Sequence, residues 1–524
     1  ANNVVVRNAI ILGSAAGRNI AAATSTTGSE HTTYGILVGG GASTVAATTA
    51  PSAITSINTT IGGAITATGF TATNNQIDSC ARGIAVQGSA VSVASGLVVT
   101  NNIIGSATAG NTTTVYSRGM TLQGFDAATI SGNTIRNIES FIGTSTAGLS
   151  LGDVSASGTN STVSNNVVTN VFNQSASTFG AYGININAGN AITVANNFVS
   201  GVNHVMSGGA AFSTTFGVFG IRAGTGINHK IYHNSVNLTG AHPGTPTTSL
   251  LSAALAVVGT GQTGLDIRNN SLQNNLTGGT TSIAHVGIYL PSGGTSAMNL
   301  TLNNNGYFYG SDAARQGVGQ AGTTAGVNFF TSLGALKGYS STLSAAGTND
   351  NASFALTTAA PYTSATDLHI PAATATPLES GGAPVTVATD IDGDPRNGST
   401  PDIGADEFVG IAVDLSPPSI SYAALGNTTI TTNRTLTTSI TDPSGVPTAG
   451  VGLPVIYFRK GNLDPYASST CVFVSGSAYD CTIDYALVTG GSVTTGDLVQ
   501  YFVAAQDTAN NVATNPSAGA GGLT

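Results

Sequence analysis

The 524-residue sequence predicts an all-β protein: a parallel β-solenoid followed by a smaller, separate β-rich module. The first observation is a recurring phrase made of a glycine, a short β-rich run, a loop, a second run and a doublet centred on asparagine. The second doublet residue falls at Asn102, Asn133, Asn166, Asn197, Asn234, Asn270 and Asn305, at intervals of 31, 33, 31, 37, 36 and 35 residues. Such a period suits a solenoid coil, a propeller blade or a helical repeat. The second observation is apolar/polar alternation with many β-branched residues, as in Ala191-Ile192-Thr193-Val194 and Leu265-Asp266-Ile267-Arg268, which favours strands over helices. The third is that each repeat offers two or three short strands and the chain contains no Trp, which disfavours a four-stranded blade.

The repeats open at Gly83-Ile84, Gly119-Met120, Gly148-Leu149, Gly183-Ile184, Gly220-Ile221, Ala254-Leu255 and Gly287-Ile288. Identical asparagines stacked coil on coil can hydrogen-bond along the stack, each bond contributing about 1 kcal/mol and fixing register. Ordinary Asn-rich turns are the plainer alternative. Residues 1–305 are therefore the coils, with Gly35-Ile36 and Asn74-Asn75 marking two less regular early turns. At about 4.8 Å per coil this is a rod on the order of 40 Å long. Loops at Ser207–Thr215 and His242–Thr248 should project from one side.

From 306 to 409 the repeat fades into a terminal coil and cap, expected because an uncovered β-edge invites pairing. Phe329–Ser341 has the spacing of a short helix and Asp367–Pro371 that of a final strand. After Ser416-Pro417-Pro418 comes a module over 416–514, with strands expected at Ser419–Tyr422, Thr429–Ile440, Val455–Arg459, Cys471–Val474 and Leu498–Gln506. Residues 515–524 are Gly/Ala/Ser-rich and linker-like.

Composition narrows the function classes. Charged residues are 7% and hydrophobics 41%, so the chain is neither disordered nor highly charged. Lysines number three (Lys230, Lys337, Lys460), leaving no basic patch for nucleic acid. No stretch of about 20 apolar residues spans a membrane. The chain opens directly in a strand-like run without a leader, as expected of a processed or excised segment. Cys471 and Cys481, ten residues apart, suit a hairpin disulfide in an oxidising, extracellular setting, with two reduced buried thiols as the alternative. Cys80 is expected in the core.

The segment Thr389-Asp390-Ile391-Asp392-Gly393-Asp394-Pro395-Arg396, followed by Pro401-Asp402-Ile403-Gly404-Ala405-Asp406-Glu407-Phe408, closes the coils. With them it resembles the C-terminal end of secreted bacterial right-handed parallel β-helix proteins of the pectate-lyase-like superfamily. That resemblance implies a right-handed β-helix at a cell surface and says little about activity. Val499–Asp507 with Asn510-Asn511-Val512 resembles the last strands of bacterial immunoglobulin-like or fibronectin-type modules, implying a β-sandwich spacer or binding module.

Candidate sites are few. The ten acidic residues of 1–389 are dispersed, with no pair at equivalent positions of successive coils, whereas polysaccharide lyases and hydrolases need clustered carboxylates. Arg222, His229, Tyr232 and His233 mark the place to look for a glycan groove; His229 and His233 would share a strand face and could bind a metal, unless His233 simply replaces the first asparagine of a doublet. Tyr182, Phe212, Phe216, Phe219, Tyr307 and Phe308 are further aromatics that could stack on a glycan. Asp390, Asp392 and Asp394 alternate around Gly393 in the manner of a calcium loop, although the glycine comes early and no bidentate Glu follows; alternatively Arg396 pairs with Asp402 or Glu407. The exposed first coil, at Asn3, Val5 and Ile10, is the expected assembly surface. The expected function is a non-catalytic extracellular structural or adhesive protein that self-associates or meets neighbouring surface proteins, needing no cofactor. A polysaccharide-cleaving or glycan-binding β-helix is the alternative.

Overall fold

In the computed structural model the described residues are 5–13, 34–38, 70–88, 93–109, 114–141, 144–152, 156–175, 179–205, 212–242, 250–278 and 282–519. Asn3 and most of the two projecting loops lie outside them. The chain forms two compact units, Ala1–Ala412 and Val413–Thr524.

The first unit is a parallel β-solenoid of about nine turns with three long sheets. The first sheet stacks three-residue strands from Val5–Arg7 to Thr301–Asn303, the second runs from Ile10–Leu12 to Phe354–Ala355, and the third from Tyr34–Val38 to Phe329–Phe330. A short fourth sheet stacks Ala94–Ser95, Phe125–Asp126, Gly158–Thr159 and Gly189–Asn190. Alternation puts one column of each sheet inside. Ala72, Val99, Ile130, Val163, Val194, Ile231, Ile267 and Leu302 follow one another in the first sheet, each 0% exposed. Ile77, Ile104, Ile135, Val168, Val199, Val236 and Leu272 do the same in the second. Fully burying such side chains contributes about 1.5–3 kcal/mol each, which makes the stack the main source of stability.

The glycine that opens every repeat but the one begun by Ala254 lies on the third sheet where that sheet approaches the second. A Cβ on Gly119 would stand 2.4 Å from Ile135 Cγ2 and 2.5 Å from the Gly148 carbonyl oxygen; Gly83, Gly148, Gly183 and Gly220 are equally crowded.

At the last coil the helix Leu333–Ser340, N-capped by the Ser332 hydroxyl, and the 3₁₀ turn Ser341–Leu343 bring Leu336 and Leu343, both fully buried, onto the end of the core. The helix begins later than expected because Phe329–Phe330 instead pairs antiparallel with Gln316–Ala321 of the third sheet. Residues 360–408 then turn back and run along the outside of the coils as an irregular strap. Asp367–Pro371, expected as a strand, is irregular: the Ile370 N–H donates to Asp406 Oδ2, and no ladder partner is present.

The second unit has two antiparallel four-stranded sheets around one core of Leu436, Ile440, Ile456, Phe458, Tyr479, Cys481, Ile483 and Val503, a sandwich. Their orders are Ser419–Ser421, Arg434–Thr441, Ala478–Ile483, Val472–Ser475 and Ala467–Thr470, Val455–Lys460, Val499–Gln506, Val512–Asn515. Cys471 and Cys481 form a disulfide across the hairpin.

Candidate functional site

The asparagine doublet is a corner between the first and second sheets. Its first residue has positive φ in every coil: 53° at Asn8 and Asn74, 56° at Asn101, 67° at Gly132, 57° at Asn165, 54° at Asn196, 50° at His233, 60° at Asn269 and 51° at Asn304. Asparagine and glycine tolerate that left-handed conformation best, which accounts for the first position. The second residue turns its amide inward. Asn75, Asn102, Asn133, Asn166, Asn197, Asn234 and Asn270 each donate through Nδ2 to Oδ1 of the next asparagine at 2.8–3.0 Å, ending at Asn305. Each Oδ1 also accepts the backbone N–H of the asparagine before it, as Asn197 Oδ1 does from Asn166 at 3.0 Å. Nδ2 donates again to a carbonyl one coil back, Asn166 to Ile130 O at 3.0 Å. The predicted ladder is thus present, one rung longer at Asn75. It ends at Ala9, whose N–H reaches Asn75 Oδ1, and at Ser353, whose hydroxyl accepts from Asn305 N.

The first doublet residues form a second, outward column, and the strap lies on it. Asn165 Nδ2 donates to the Asp390 and Ile391 carbonyls at 2.7 and 2.8 Å, and Asn196 Nδ2 to Thr389 O at 2.6 Å. Asn269 pairs through both amide atoms with Ala383, while His233 contacts the Asp402 carbonyl and Asn269. Arg396 Nη1 meets Glu407 Oε2 at 3.0 Å, and its Nη2 reaches Asn196 Oδ1 and the Gly404 and Ala405 carbonyls. Arg396 therefore pairs with Glu407; Asp402 is held by Ser380 N and Phe408 N instead. Burial raises Asp402 to about 7, against those two N–H groups, with Glu407 and Glu379 adding to the rise.

Asp390, Asp392 and Asp394 are not brought to a common point. Asp390 is buried and accepts the N–H groups of Asp392, Asp394 and Glu407, so its carboxylate organises the turn, while Asp392 and Asp394 are exposed. Asp392 Oδ2 lies 2.9 Å from His369 Nε2, and Asp367 Oδ1 lies 2.5 Å from Nδ1. Burial pulls His369 down, but the hydrogen bond to Asp367 and the charges of Asp406 and Asp392 outweigh it and leave its pKa above the ordinary value. His369, Asp392 and Asp406 place three donor atoms close enough to share a cation, as do Asp414, Asp442 and Asp507 in the sandwich.

The four groove residues expected from sequence are dispersed and buried. Arg222 lies on the third sheet, donating to Thr214 O and Asn185 Oδ1 and covering the Tyr182 ring. His229 and His233 are 0% exposed; His233 sits in the left-handed corner, which breaks the alternation that would have put both on one face. Tyr232, on the first sheet, donates to Asp266 Oδ2. Of the other aromatics, Tyr182, Phe212 and Phe219 are buried in one cluster and Tyr307 in the core.

A groove that the sequence reading did not single out crosses the second sheet. Its volume is about 350 Å³, and Asn137, Asn170, Glu139, Phe172, Asn203 and Thr239 are among its lining residues. Asn137, Asn170 and Gly201 bend the strands there with φ of 52°, 56° and 63°, and Asn170 Nδ2 donates to Asn137 Oδ1 at 3.0 Å. Glu139 is held by Gln174 Nε2. The visible signal was another asparagine column, hidden inside strands rather than marked by a doublet.

No protein-family model matches the chain, and no curated protein sequence matches it.

Proposed function

We propose that the protein is a non-catalytic extracellular structural or adhesive component, a stiff rod bearing a sandwich module. The carrying observation is the use made of buried polar groups. Asn75 to Asn305 join every coil to the next, and Asn165, Asn196, His233, Asn269 and Arg396 bind the strap to the coils. Arg396, Asp390 and His233, residue types that could do chemistry, are engaged in fixing shape. The disulfide in the second unit supports an oxidising, extracellular setting. The likeness to secreted bacterial right-handed β-helix surface proteins of the pectate-lyase-like kind, with an immunoglobulin-like module, supports the same reading. No cation is needed for it.

Self-association into a filament or sheath is part of the proposal. Val5 and Ile10 of the first coil are 53% and 72% exposed and give such an assembly an apolar end. The test is negative-stain electron microscopy of native material beside the purified chain. Regular filaments or sheets support the reading, and isolated single rods in both samples overturn the assembly part. A glycan-binding role is the second reading, favoured by the groove of amides with Phe172. Retention on neutral or acidic polysaccharide, lost in Phe172→Ala, would support it.

A further inference from the structure

The strap covers only part of the line it follows. In the second sheet Ile10, Gln76, Ile103, Thr134, Val167, Phe198, Ser235 and Ser271 form one outward column in register. Under the strap this column is closed. Phe198 is 1% exposed and packs with Leu368 and Ala405, Ser235 Oγ accepts from Ala405 N at 3.0 Å, and Ser271 Oγ lies 2.7 Å from the Tyr362 hydroxyl. At the other end it is open, with Ile10 72% and Ile103 39% exposed. The parallel column of left-handed corners behaves the same way. Asn196 and Asn269 are buried beneath the strap, whereas Asn8, Asn74 and Asn101 are exposed, and their side-chain amides make no hydrogen bond among the described residues. Between the two open columns lies a groove of about 410 Å³ lined by Asn8, Ile10, Asn74, Gln76, Asn101 and Ile103 among others.

We propose that this groove binds an extended peptide segment of another polypeptide chain, laid along the line that the strap follows further down the rod. The molecule itself shows the mode of recognition. One outward asparagine, Asn165, donates to two consecutive main-chain carbonyls, those of Asp390 and Ile391, and Asn196 donates to the one before, Thr389. Asn74 and Asn101 carry the same amide at the same corner, one coil spacing apart, about 4.8 Å. Ile10 and Ile103 offer apolar contact where the strap places Leu368 and Ala405 on Phe198. Main-chain hydrogen bonds would give affinity and the isoleucines a preference for small apolar side chains, the logic of strand-addition recognition. The groove is continuous with an interface already formed within the chain, and its apolar flank suits a peptide better than a hydroxyl-rich glycan.

The test uses the full chain and a fluorescent synthetic peptide copying residues 385–394, followed by anisotropy. The discriminating variant is Asn8→Gly/Asn74→Gly/Asn101→Gly. Gly132 already fills this corner at φ 67°, so glycine keeps the turn and removes only the amide. Ile10→Asp is the second variant, since Ile10 is exposed and its replacement leaves the core untouched. Saturable binding, weakened roughly tenfold or more in the triple variant, is expected. Absence of saturable binding overturns the proposal. So does equal affinity in the triple variant, which would mean that the peptide displaces the strap, and so does competition by a neutral oligosaccharide. The outcome is separable from the scaffold reading, because filament formation is scored by microscopy on unmodified protein.

Discussion

Replacing Asn166 by Ala removes one rung from the middle of the ladder, and the structure sets the size of the effect. Four hydrogen bonds disappear: Nδ2 to Asn197 Oδ1 and to Ile130 O, and those received by Oδ1 from Asn133 N and Asn133 Nδ2. Two of the partners keep other bonds. Asn133 Nδ2 still donates to Val99 O, and Asn197 Oδ1 still accepts from the backbone N–H of residue 166. The Asn133 N–H and the Ile130 carbonyl on that side lose their side-chain partner in a region without solvent. At about 1–3 kcal/mol for each buried group left unpaired, the expected loss is about 2–6 kcal/mol. Urea unfolding of the purified chain, with Thr162→Ala on the exposed side of the same coil as control, measures it. Hydrogen exchange at the Asn133 amide gives a local reading, with faster exchange expected. A loss below about 1 kcal/mol, or unchanged exchange, would refute the argument that the rungs are energetically significant. Adding Asn133→Ala should cost less than the sum of the two single changes, since neighbouring rungs share partners.

Arg396→Met should release the strap, because Glu407 would keep a largely buried charge without its partner; a loss of about 3–5 kcal/mol is expected, read as new protease cleavage within residues 380–408. Strap protection should also fall as pH rises from about 4 to 7. Asp402 has a folded pKa of about 7, above its unfolded value, so the folded state holds the proton more tightly and that stability is lost as pH climbs through 7. His369 is likewise raised, so its contribution is present below its ordinary value and fades above its folded one. Asp402→Asn should flatten the profile, and an unchanged profile would remove Asp402 from the account. Reducing Cys471–Cys481, which closes a loop ten residues apart, should destabilise the sandwich unit by about 2–3 kcal/mol and leave the solenoid transition unmoved in calorimetry.

The solenoid was legible because its information is periodic. Alternating Val/Ile runs, the crowded glycines and the Asn102-to-Asn305 interval each repeat, so one interpretation had to serve every coil. The meaning of the first doublet residue was half visible. His233 in an asparagine position is intelligible once that position requires a left-handed backbone, and the same requirement defeated the expectation that His229 and His233 share a face. The strap was not legible. Its hydrogen bonds to the coils join residues 77 to 226 positions apart, from Asn304 with Gly381 to Asn165 with Ile391, and each occurs once, so no period announces them. Asp390 looked like a cation ligand because alternation of acids is all that sequence shows; that its oxygens accept backbone N–H groups depends on a turn closed by Glu407. In the sandwich, Ala478–Ile483 was missed as a strand although it carries Cys481, because only one half of the hairpin was strongly β-branched.

The inner asparagine column also constrains how such a molecule can change length. A loop between sheets can grow by any number of residues without touching the column, as the unequal 31-to-37-residue intervals show. A cut that removes part of a coil would set an amide opposite the wrong neighbour, whereas excising residues 134–166 would join Asn133 to Val167 and keep every remaining rung in line. Evolution of this chain by duplication and deletion is therefore confined to integers. The rod can be made longer or shorter only in whole steps of about 4.8 Å, and each step leaves the two ends as they were.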